Sequence, residues 1–417
     1  MSGRLLRDVP WLGSGPARRV LELLNRHGEE ARVVGGAVRN ALLGIAVGDI
    51  DIATTATPDE VVRRARAAAI KSVPTGIAHG TVTLVVDGQP FEVTTLREDI
   101  ETFGRKARVA FGRDWERDAQ RRDFSINGLS VSPDGMVHDY VGGLDDIAGR
   151  CVRFIGDPDR RIAEDYLRIL RFFRMHAAFG AGEPDRDGYL ACIRGRGGLA
   201  GLSAERIRVE MLKLLVADGA ADAAIAMEDA GLLLALFGGV TWRGPLRAMI
   251  AAERMLGLKP DPIRRLGALG VVVTEDARRL AIRLRLTNAE TSALDSMGHR
   301  WWRLAGMDEA AARRRLYRLG EARYRDRLLL AWARARQDAD PAPWRALATL
   351  PDRWSAPKFP LKAADFKARG IADGPALGQV LALAEDAWLA ADFPLDEPAL
   401  AAIADQGAAR LGRDRAP

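Results

Sequence analysis

The sequence is poor in cysteine, histidine and lysine, and it contains no long hydrophobic run. Two cysteines and five scattered histidines among 417 residues are too few for a disulfide framework, a zinc knuckle or a histidine-based metal phosphohydrolase site. The longest apolar stretch, near residues 232–240, is well short of the roughly 18 residues that a membrane span needs. The N-terminal residues lack the apolar segment of a signal peptide. We therefore expect a protein of the reduced cytoplasm that has no membrane partner.

Arginine supplies nearly all of the positive charge. Lys and Arg number 62 against 56 Asp and Glu, which gives a net charge of +6, and only seven of the 62 are lysines. The planar guanidinium group suits phosphates and bases, so a nucleotide or a nucleic acid is the leading class of partner. At about 150 residues per domain, a chain of 417 residues with 48% hydrophobic content allows two to four domains, each with its own core.

The hydrophobic pattern changes along the chain. In the first third, short β-rich runs alternate with helical stretches; the runs are 32–34, 50–53, 81–86 and 91–96. The pair Asp87-Gly88 predicts a hairpin between the last two runs, because both residues tolerate the positive φ of a tight turn. Beyond Gly156 the period becomes helical. We therefore predict an α+β fold in which a mixed N-terminal part is followed by an all-helical remainder.

Two glycines stand between the first predicted strand and a helix. Gly35 and Gly36 would let backbone N–H groups approach phosphate oxygens, and Arg39 follows one turn later. A glycine pair at the end of a strand is by itself most often only a turn. The glycine pair indicates a phosphate-binding turn only in combination with the residues that follow it.

Three carboxylates occur on predicted neighbouring strands. Asp49 and Asp51 lie two residues apart and would face the same side of a strand, and Glu92 lies on a later strand. A calcium loop is excluded, because Ala53 and Thr54 stand where that loop needs a ligand and a glycine. A solvated strand face is the other alternative. We expect the three carboxylates to hold two Mg²⁺ ions for a two-metal nucleotidyl transfer.

Further along, two segments carry groups that suit nucleotide binding. Arg121 and Arg122 could hold a triphosphate, and Asp123 or Asn127 could bond a ribose hydroxyl. The alternative is a charged helix start whose apolar residues lie in the core.

The second segment contains Asp165 and Arg168, which would share one face of a continuous helix, whereas Arg171 and Arg174 would drift away from Asp165. An ordinary i,i+3 ion pair is one interpretation. The other is a site that reads a base edge, because cytosine and adenine present an amine beside a ring nitrogen acceptor. Such a site would reject uracil and guanine, which place a carbonyl opposite the carboxylate.

Six ordered motifs resemble those of class II tRNA nucleotidyltransferases and bacterial poly(A) polymerases. The motifs are Gly35-Gly36-Ala37-Val38-Arg39, Asp49-Ile50-Asp51, Arg121-Arg122-Asp123-Phe124, Asp139-Tyr140-Val141-Gly142-Gly143, Glu164-Asp165-x-x-Arg168 and Ser203-Ala204-Glu205-Arg206-Ile207. The resemblance implies a head with a polymerase-type nucleotidyltransferase palm and metal site at residues 1–150, a helical neck with a base-reading helix at 151–220, a helical body at 221–340 and a helical tail that binds tRNA at 341–417.

The resemblance also implies roles for individual residues. Asp49 and Asp51 would hold Mg²⁺, and the nucleotide would be contacted by Gly36, Arg39, Arg122, Asp165, Arg168, Arg171 and Arg174. Two departures from the family pattern are Asn40, where an Asp is usual, and Gly128, where an Ala is usual. A carboxylate that could orient Arg39 is therefore missing from the sequence.

The expected function is template-independent addition of C, C and A to tRNA 3′ ends from CTP and ATP, with Mg²⁺ as cofactor, release of pyrophosphate and no protein partner. The alternatives are a poly(A) polymerase, an enzyme that adds only part of the CCA end, and a non-catalytic RNA-binding protein on the same scaffold. The arginine-rich residues 313–327 are the expected RNA contact, and a solvated helix face paired with Glu321 and Asp326 is the alternative. Residues 97–116, with the basic Arg105, are expected to form a long structureless loop that moves between C and A addition.

Overall fold

The computed structural model describes residues 5, 6, 9–76, 80–103, 106–336 and 340–413. The chain forms two compact units. The N-terminal unit consists of Met1–Thr241 with Arg283–Arg285, and the C-terminal unit consists of Trp242–Ile282 with Leu286–Pro417. The division into head, neck, body and tail remains a prediction.

A mixed sheet of seven strands organises the N-terminal unit, with the strand order β3-β4-β5-β2-β1-β8-β9. β2 and β5 pair in parallel, and the other neighbours are antiparallel. The strands are β1 Ala31–Val34, β2 Asp51–Thr54, β3 Lys71–Gly76, β4 Thr81–Val86, β5 Gln89–Thr95, β6 Arg97–Phe103, β7 Lys106–Phe111, β8 Ser130–Val131 and β9 Val137–His138.

The predicted hairpin at Asp87-Gly88 is confirmed. β4 and β5 are antiparallel partners, and Asp87 and Gly88 have φ values of 52° and 77°, which is the left-handed conformation that a two-residue turn requires. Alternate residues of β4, among them Val82 and Leu84, are buried. The alternation of apolar and polar residues along β4 therefore indicates a sheet with one face in the core.

Two expectations about strands are wrong. β2 begins at Asp51, so Asp49 and Ile50 precede the strand. Residues 97–111 are not structureless, because β6 and β7 form a separate antiparallel ribbon. A ribbon of two strands is held by backbone hydrogen bonds and can lack the apolar alternation that marks a strand in the sequence. Arg105 lies outside the described residues.

Helices complete the N-terminal unit. They are α1 Pro10–Gly13, α2 Pro16–Leu24, α3 Gly36–Leu42, α4 Pro58–Ala67, α5 Trp115–Gln120, α6 Gly143–Ala148, α7 Pro158–Glu164, α8 Leu167–Phe179, α9 Arg186–Gly195, α10 Ala204–Leu215, α11 Ala220–Asp229 and α12 Leu232–Phe237. Short 3₁₀ helices occur at Ser125–Asn127 and Arg196–Gly201. The rings of Phe124, Phe154 and Phe172 pack against one another with centroids 4.9 to 6.3 Å apart, which joins α8 to the segment before β8.

The rest of the chain is helical. The helices are α13 Arg243–Met255, α14 Pro262–Gly270, α15 Thr274–Leu284, α16 Asn288–Gly298, α17 Glu309–Leu319, α18 Glu321–Ala333, α19 Pro341–Ala348, α20 Leu350–Arg353, α21 Ala363–Lys367, α22 Pro375–Ala390 and α23 Glu397–Arg413, with a 3₁₀ helix at Trp301–Leu304. Two hydrophobic clusters lie within the C-terminal unit, one formed by residues 249–350 and one by residues 366–404. Trp354 packs against both clusters.

The α+β prediction is confirmed. Among the residues described, no helix combines the length and the apolar composition that crossing a bilayer would require.

Candidate functional site

The two glycines form the turn between β1 and α3. Gly35 has φ +69°, and its N–H donates to the carbonyl of Leu129 at 3.0 Å. A Cβ at this position would lie 3.2 Å from Nη1 of Arg122, so glycine is required both for the backbone conformation and for the close approach of the guanidinium group. The turn places the backbone of α3 beside Arg122.

Arg39 is held by neutral groups. Its Nε and Nη2 donate to Oδ1 of Asn40 at 3.1 and 2.8 Å, Nη1 donates to Oδ1 of Asn127, and the guanidinium carbon lies 3.9 Å from the ring centroid of Phe179. Burial lowers the pKa of Arg39 to about 10, and the charge of Arg174 adds to this effect. The amide of Asn40 therefore takes the orienting position for which the sequence offered no carboxylate.

Asp123 organises the next segment. Nε of Arg171 donates to its Oδ2 at 2.7 Å, and Nδ2 of Asn127 and the N–H of Phe124 donate to its Oδ1 at 3.2 and 3.0 Å. Burial by itself raises the pKa of Asp123, but Arg171 and these hydrogen bonds hold it below its usual range. Both oxygens, proposed as ribose acceptors, already accept hydrogen bonds within the protein.

The interpretation of Asp165 and Arg168 as an i,i+3 ion pair is wrong. Asp165 lies between α7 and α8 with extended backbone angles of φ −156° and ψ 105°. Its carboxylate accepts from the N–H of Leu167 at 3.1 Å and from Nη2 of Arg206 at 2.6 Å. Arg168 instead donates to Glu164 at 2.5 Å. The continuous helix assumed from the sequence is interrupted at Asp165, so the angular argument does not apply.

The break in the helix also corrects the placement of Arg174. A continuous helix would carry Arg174 away from Asp165, yet both residues line one cavity. Arg174 is held there by an ion pair with Glu210, which projects from α10 and is only 6% exposed. Arginines at every third position of α8 thus stay on one side of the helix, while its apolar residues pack into the core.

Most of the predicted nucleotide-binding residues meet at this cavity, which has a volume of about 500 Å³. Six arginines, three aspartates and one asparagine contribute its polar lining. The lining residues are Gly35, Gly36, Arg39, Asp51, Arg122, Asp123, Asn127, Asp165, Leu167, Arg168, Arg171, Arg174, Met175 and Arg206.

The carboxylates proposed for Mg²⁺ lie at and beside the same cavity. Asp51 of β2 is directly opposite Glu92 of β5 in the parallel pair, and Asp49 precedes β2. Burial raises the pKa of Asp51, an effect that Arg122 opposes and Asp49 reinforces. Burial and the charge of Asp51 raise the pKa of Glu92. Within the described ranges, no group of three or more potential ligand side chains is already arranged around a metal position.

Sequence reasoning assigned no role to Arg206, Glu210, Asp118 or Phe179. Asp118 pairs with Arg122 at 3.1 Å, and the other three act on Asp165, Arg174 and Arg39. The available signals were weak. Arg206 lies within a family motif, and Glu210 is a charged residue on the buried face of α10.

The motif Asp139–Gly143 and the departure at Gly128 have local structural explanations. Asp139 accepts hydrogen bonds from the backbone N–H groups of Val141, Gly143 and Leu144 at 2.9 to 3.0 Å, and it thereby caps α6. A Cβ at Gly128 would lie 2.5 Å from Cγ2 of Val141. An alanine at that position would therefore force the capped turn to shift.

Two family models match the chain. Residues 31–153 match the poly A polymerase head domain, and residues 195–241 match a probable RNA and SrmB-binding site of polymerase A. Together with the mixed sheet and the arginine-lined cavity, these matches define a nucleotidyltransferase with a helical RNA-binding part.

Comparison with relatives of similar length identifies the family of nucleotidyltransferases more closely. The chain is 34% identical over 366 residues to CCA tRNA nucleotidyltransferase 1, mitochondrial, of Danio rerio, which covers 86% of this chain and 83% of that protein. It is 33% identical to the CCA-adding enzyme of Limosilactobacillus fermentum over 88% of this chain and 90% of the relative. The solved CCA-adding enzyme of Bacillus stearothermophilus in complex with CTP is 26% identical, covers 95% of this chain and 98% of its own, and superposes with a TM-score of 0.71. The chain belongs to the CCA-adding tRNA nucleotidyltransferase family.

Proposed function

We propose that this protein adds C, C and A to the 3′ ends of tRNA from CTP and ATP, without a template and with release of pyrophosphate. The observation that carries the proposal is the cavity in which six arginines meet Asp165. The names of the relatives support CCA addition above poly(A) synthesis or partial addition.

The arginines bind the triphosphate in this proposal. Arg39 and Arg122 lie beside the Gly35-Gly36 turn, so guanidinium groups and the backbone of α3 surround the same part of the cavity. Guanidinium groups that are already fixed by protein partners lose little conformational entropy when a phosphate arrives.

Asp165 and Arg168 read the base. Arg206 and the N–H of Leu167 fix the Asp165 carboxylate, and Glu164 fixes the guanidinium of Arg168. The carboxylate can still accept from the exocyclic amine of cytosine or adenine while Arg168 donates to the ring nitrogen. A carbonyl of uracil or guanine would face the carboxylate and lose that hydrogen bond.

The carboxylates suit Mg²⁺. Asp51 and Glu92 are adjacent in register. Burial raises the pKa of both, and repulsion by Asp49 adds to this at Asp51 and repulsion by Asp51 adds to it at Glu92. A divalent cation with oxygen ligands would remove this repulsion. We assign Asp49, Asp51 and Glu92 as the residues that would hold it. When bound, the ion would favour deprotonation of the RNA 3′-hydroxyl and stabilise negative charge on the phosphates.

The proposed location is the cytoplasm, where reduced thiols are stable. Cys151 and Cys192 are unpaired, and Cys192 is buried. The vertebrate relatives are named mitochondrial, so fractionation of the native host would test this part of the proposal.

A single assay tests the function. Purified protein and Mg²⁺ are mixed with tRNA transcripts that end before CCA, before CA and before A, and each nucleoside triphosphate is offered separately. We expect C on the first two transcripts, A on the third and no product with UTP or GTP. Long A tails would indicate a poly(A) polymerase. A alone would indicate a partial enzyme, and no product with bound RNA would indicate a non-catalytic scaffold.

A further inference from the structure

Five of the six arginines in the cavity are neutralised by a carboxylate of the protein. The pairs are Arg122–Asp118, Arg168–Glu164, Arg171–Asp123, Arg174–Glu210 and Arg206–Asp165. Arg39 is the exception. Its hydrogen-bond acceptors are the amide oxygens of Asn40 and Asn127, and it forms no ion pair with any carboxylate in the described part of the chain.

The remaining contact of Arg39 is an aromatic ring. Phe179 is the last residue of α8, and its ring centroid lies 3.9 Å from the guanidinium carbon. An aromatic face attracts a cation through its quadrupole but carries no net charge. Phe179 therefore contributes to fixing Arg39 without forming an ion pair with it.

The surroundings make such a support necessary. Burial removes part of the hydration of Arg39 and Arg174 repels it, which together lower the pKa of Arg39 to about 10, although the charge of Asp123 opposes this effect. The group still carries its charge at neutral pH. Without a holding contact, a cation in this position would turn towards solvent, because water would hydrate it better.

We propose that Phe179 is a positioning residue for nucleotide binding: it holds Arg39, the arginine of the cavity that has no ion-pair partner among the described residues, so that the anionic triphosphate can form that ion pair. The proposal rests on the proposed function, in which CTP and ATP occupy this cavity. It concerns the shared triphosphate and not the base, so both nucleotides should depend on Phe179 to the same extent.

The experiment measures the equilibrium Kd for CTP and ATP and the KM and kcat for addition. Phe179→Leu keeps an apolar side chain but removes the ring, and we expect it to raise Kd and KM for both nucleotides about tenfold. We expect kcat and the KM for tRNA to change less than about twofold, because the variant weakens a binding contact without moving the reacting groups. Phe179→Tyr retains the aromatic face and should restore binding close to the wild-type value.

Fluorinated analogues separate the aromatic effect from packing. Replacing Phe179 with phenylalanines that carry one, two or three ring fluorines weakens the quadrupole stepwise at nearly constant size, so the logarithm of Kd should rise steadily along the series. In an Arg39→Gln background, Phe179→Leu should add no further increase. Tyr189→Leu is the matched control, because Tyr189 is also half-buried but its ring packs against Phe173.

A flat fluorine series, an unchanged Kd in Phe179→Leu, or equal effects of Phe179→Leu in the wild-type and Arg39→Gln backgrounds would each overturn the positioning role. Because Kd is measured without nucleotide addition, the test of Phe179 does not depend on whether the protein adds C or A to tRNA. If the wild-type protein binds CTP with the expected dependence on Phe179 but adds no C to tRNA, the function fails and the positioning role stands.

Discussion

The arginines of the cavity and those of residues 313–327 are held in different ways. In the cavity, protein carboxylates fix five arginines, and an aromatic ring with two amides fixes the sixth. In residues 313–327, which belong to α17 and α18, five arginines also have partners, but two do not. The partnered residues are Arg313 with Glu309 and Asp392, Arg318 with Asp386, Arg323 with Ser292, Arg325 with Glu321 and Asp352, and Arg327 with Ser296.

Arg314 and Arg315 have no hydrogen-bond or ion-pair partner among the described residues. They line a second cavity, of about 440 Å³, together with Arg318 and Asp386. Burial lowers the pKa of Arg327, and the charges of Arg315 and Arg323 add to this effect while Asp295 opposes it.

The difference matches two kinds of ligand. A small nucleotide that must be distinguished by its base edge requires donors fixed before binding, because a misplaced donor loses the selectivity. A long polyanion is bound mainly through charge and release of counterions, which mobile and unpaired arginines supply equally well. We therefore expect changes in the cavity to alter rate and base selection, and changes at Arg314 and Arg315 to alter only the affinity for RNA.

The largest effect is expected at Asp51, which lines the first cavity and forms no ion pair within the described ranges. Asp51→Asn should lower the rate of addition by about a thousandfold, because a bound metal contributes several kcal/mol to the transition state. Asp51→Asn removes a charge that burial and Asp49 disfavour and keeps the shape of the side chain, so the melting temperature should stay close to the wild-type value.

Turnover and thermal melting are measured together for Asp51→Asn. Asp59→Asn, which removes an exposed carboxylate from the first turn of α4, is the control and should keep wild-type activity. Retained turnover in Asp51→Asn would remove the metal assignment, and a large fall in melting temperature would assign Asp51 a structural role.

A smaller effect is expected when the base-reading carboxylate is removed. Asp165→Ala should weaken discrimination against UTP about ten- to hundredfold, because the lost contact is worth roughly 1 to 3 kcal/mol, while triphosphate affinity changes less. Arg168→Ala should reduce the use of CTP and ATP together. The measurement is kcat/KM for each of the four nucleotides, and undiminished exclusion of UTP and GTP in Asp165→Ala would show that the base is read elsewhere.

Arg206 sharpens this prediction because it holds Asp165 from α10 at 2.6 Å. Arg206→Ala should relax base selection in the same direction but to a smaller extent, since the N–H of Leu167 still orients the carboxylate. If Arg206→Ala changes the affinity for triphosphate and leaves base selection intact, Arg206 binds phosphate instead of positioning Asp165.

The composition of the first cavity could largely be predicted from the sequence, but only part of the sheet could: the four predicted runs correspond to β1, β2, β4 and β5 among the nine strands described. The Asp87-Gly88 turn, the alternation in β4 and the helical period after Gly156 are local signals, and the structure follows them. Short motifs predict that the glycine turn, Arg39, Arg122 and Asp165 bind a nucleotide, and these residues do line one cavity.

The pairing of side chains within the site could not be predicted. One uninterrupted helix would allow an ion pair between Asp165 and Arg168, but their partners are Arg206, 41 residues away from Asp165 in sequence, and Glu164. Which carboxylate a guanidinium selects depends on where a helix breaks and which other helix approaches. Both depend on tertiary packing, which cannot be predicted from the 100° rotation per residue of a single helix.

The smallest effect is expected at Arg314 and Arg315, and this prediction tests the comparison directly. Arg314→Gln with Arg315→Gln should raise the KM for tRNA about tenfold and reduce the slope of log affinity against log salt by about two, one for each lost phosphate contact. The KM for CTP and ATP should not change.

The matched control is Arg313→Gln with Arg325→Gln, which removes the same charge from two arginines that are already paired with carboxylates. Its effect on the salt slope should be clearly smaller. Equal slopes for the two double variants would mean that net charge alone attracts the RNA, and an unchanged slope in both would place the RNA contact outside residues 313–327.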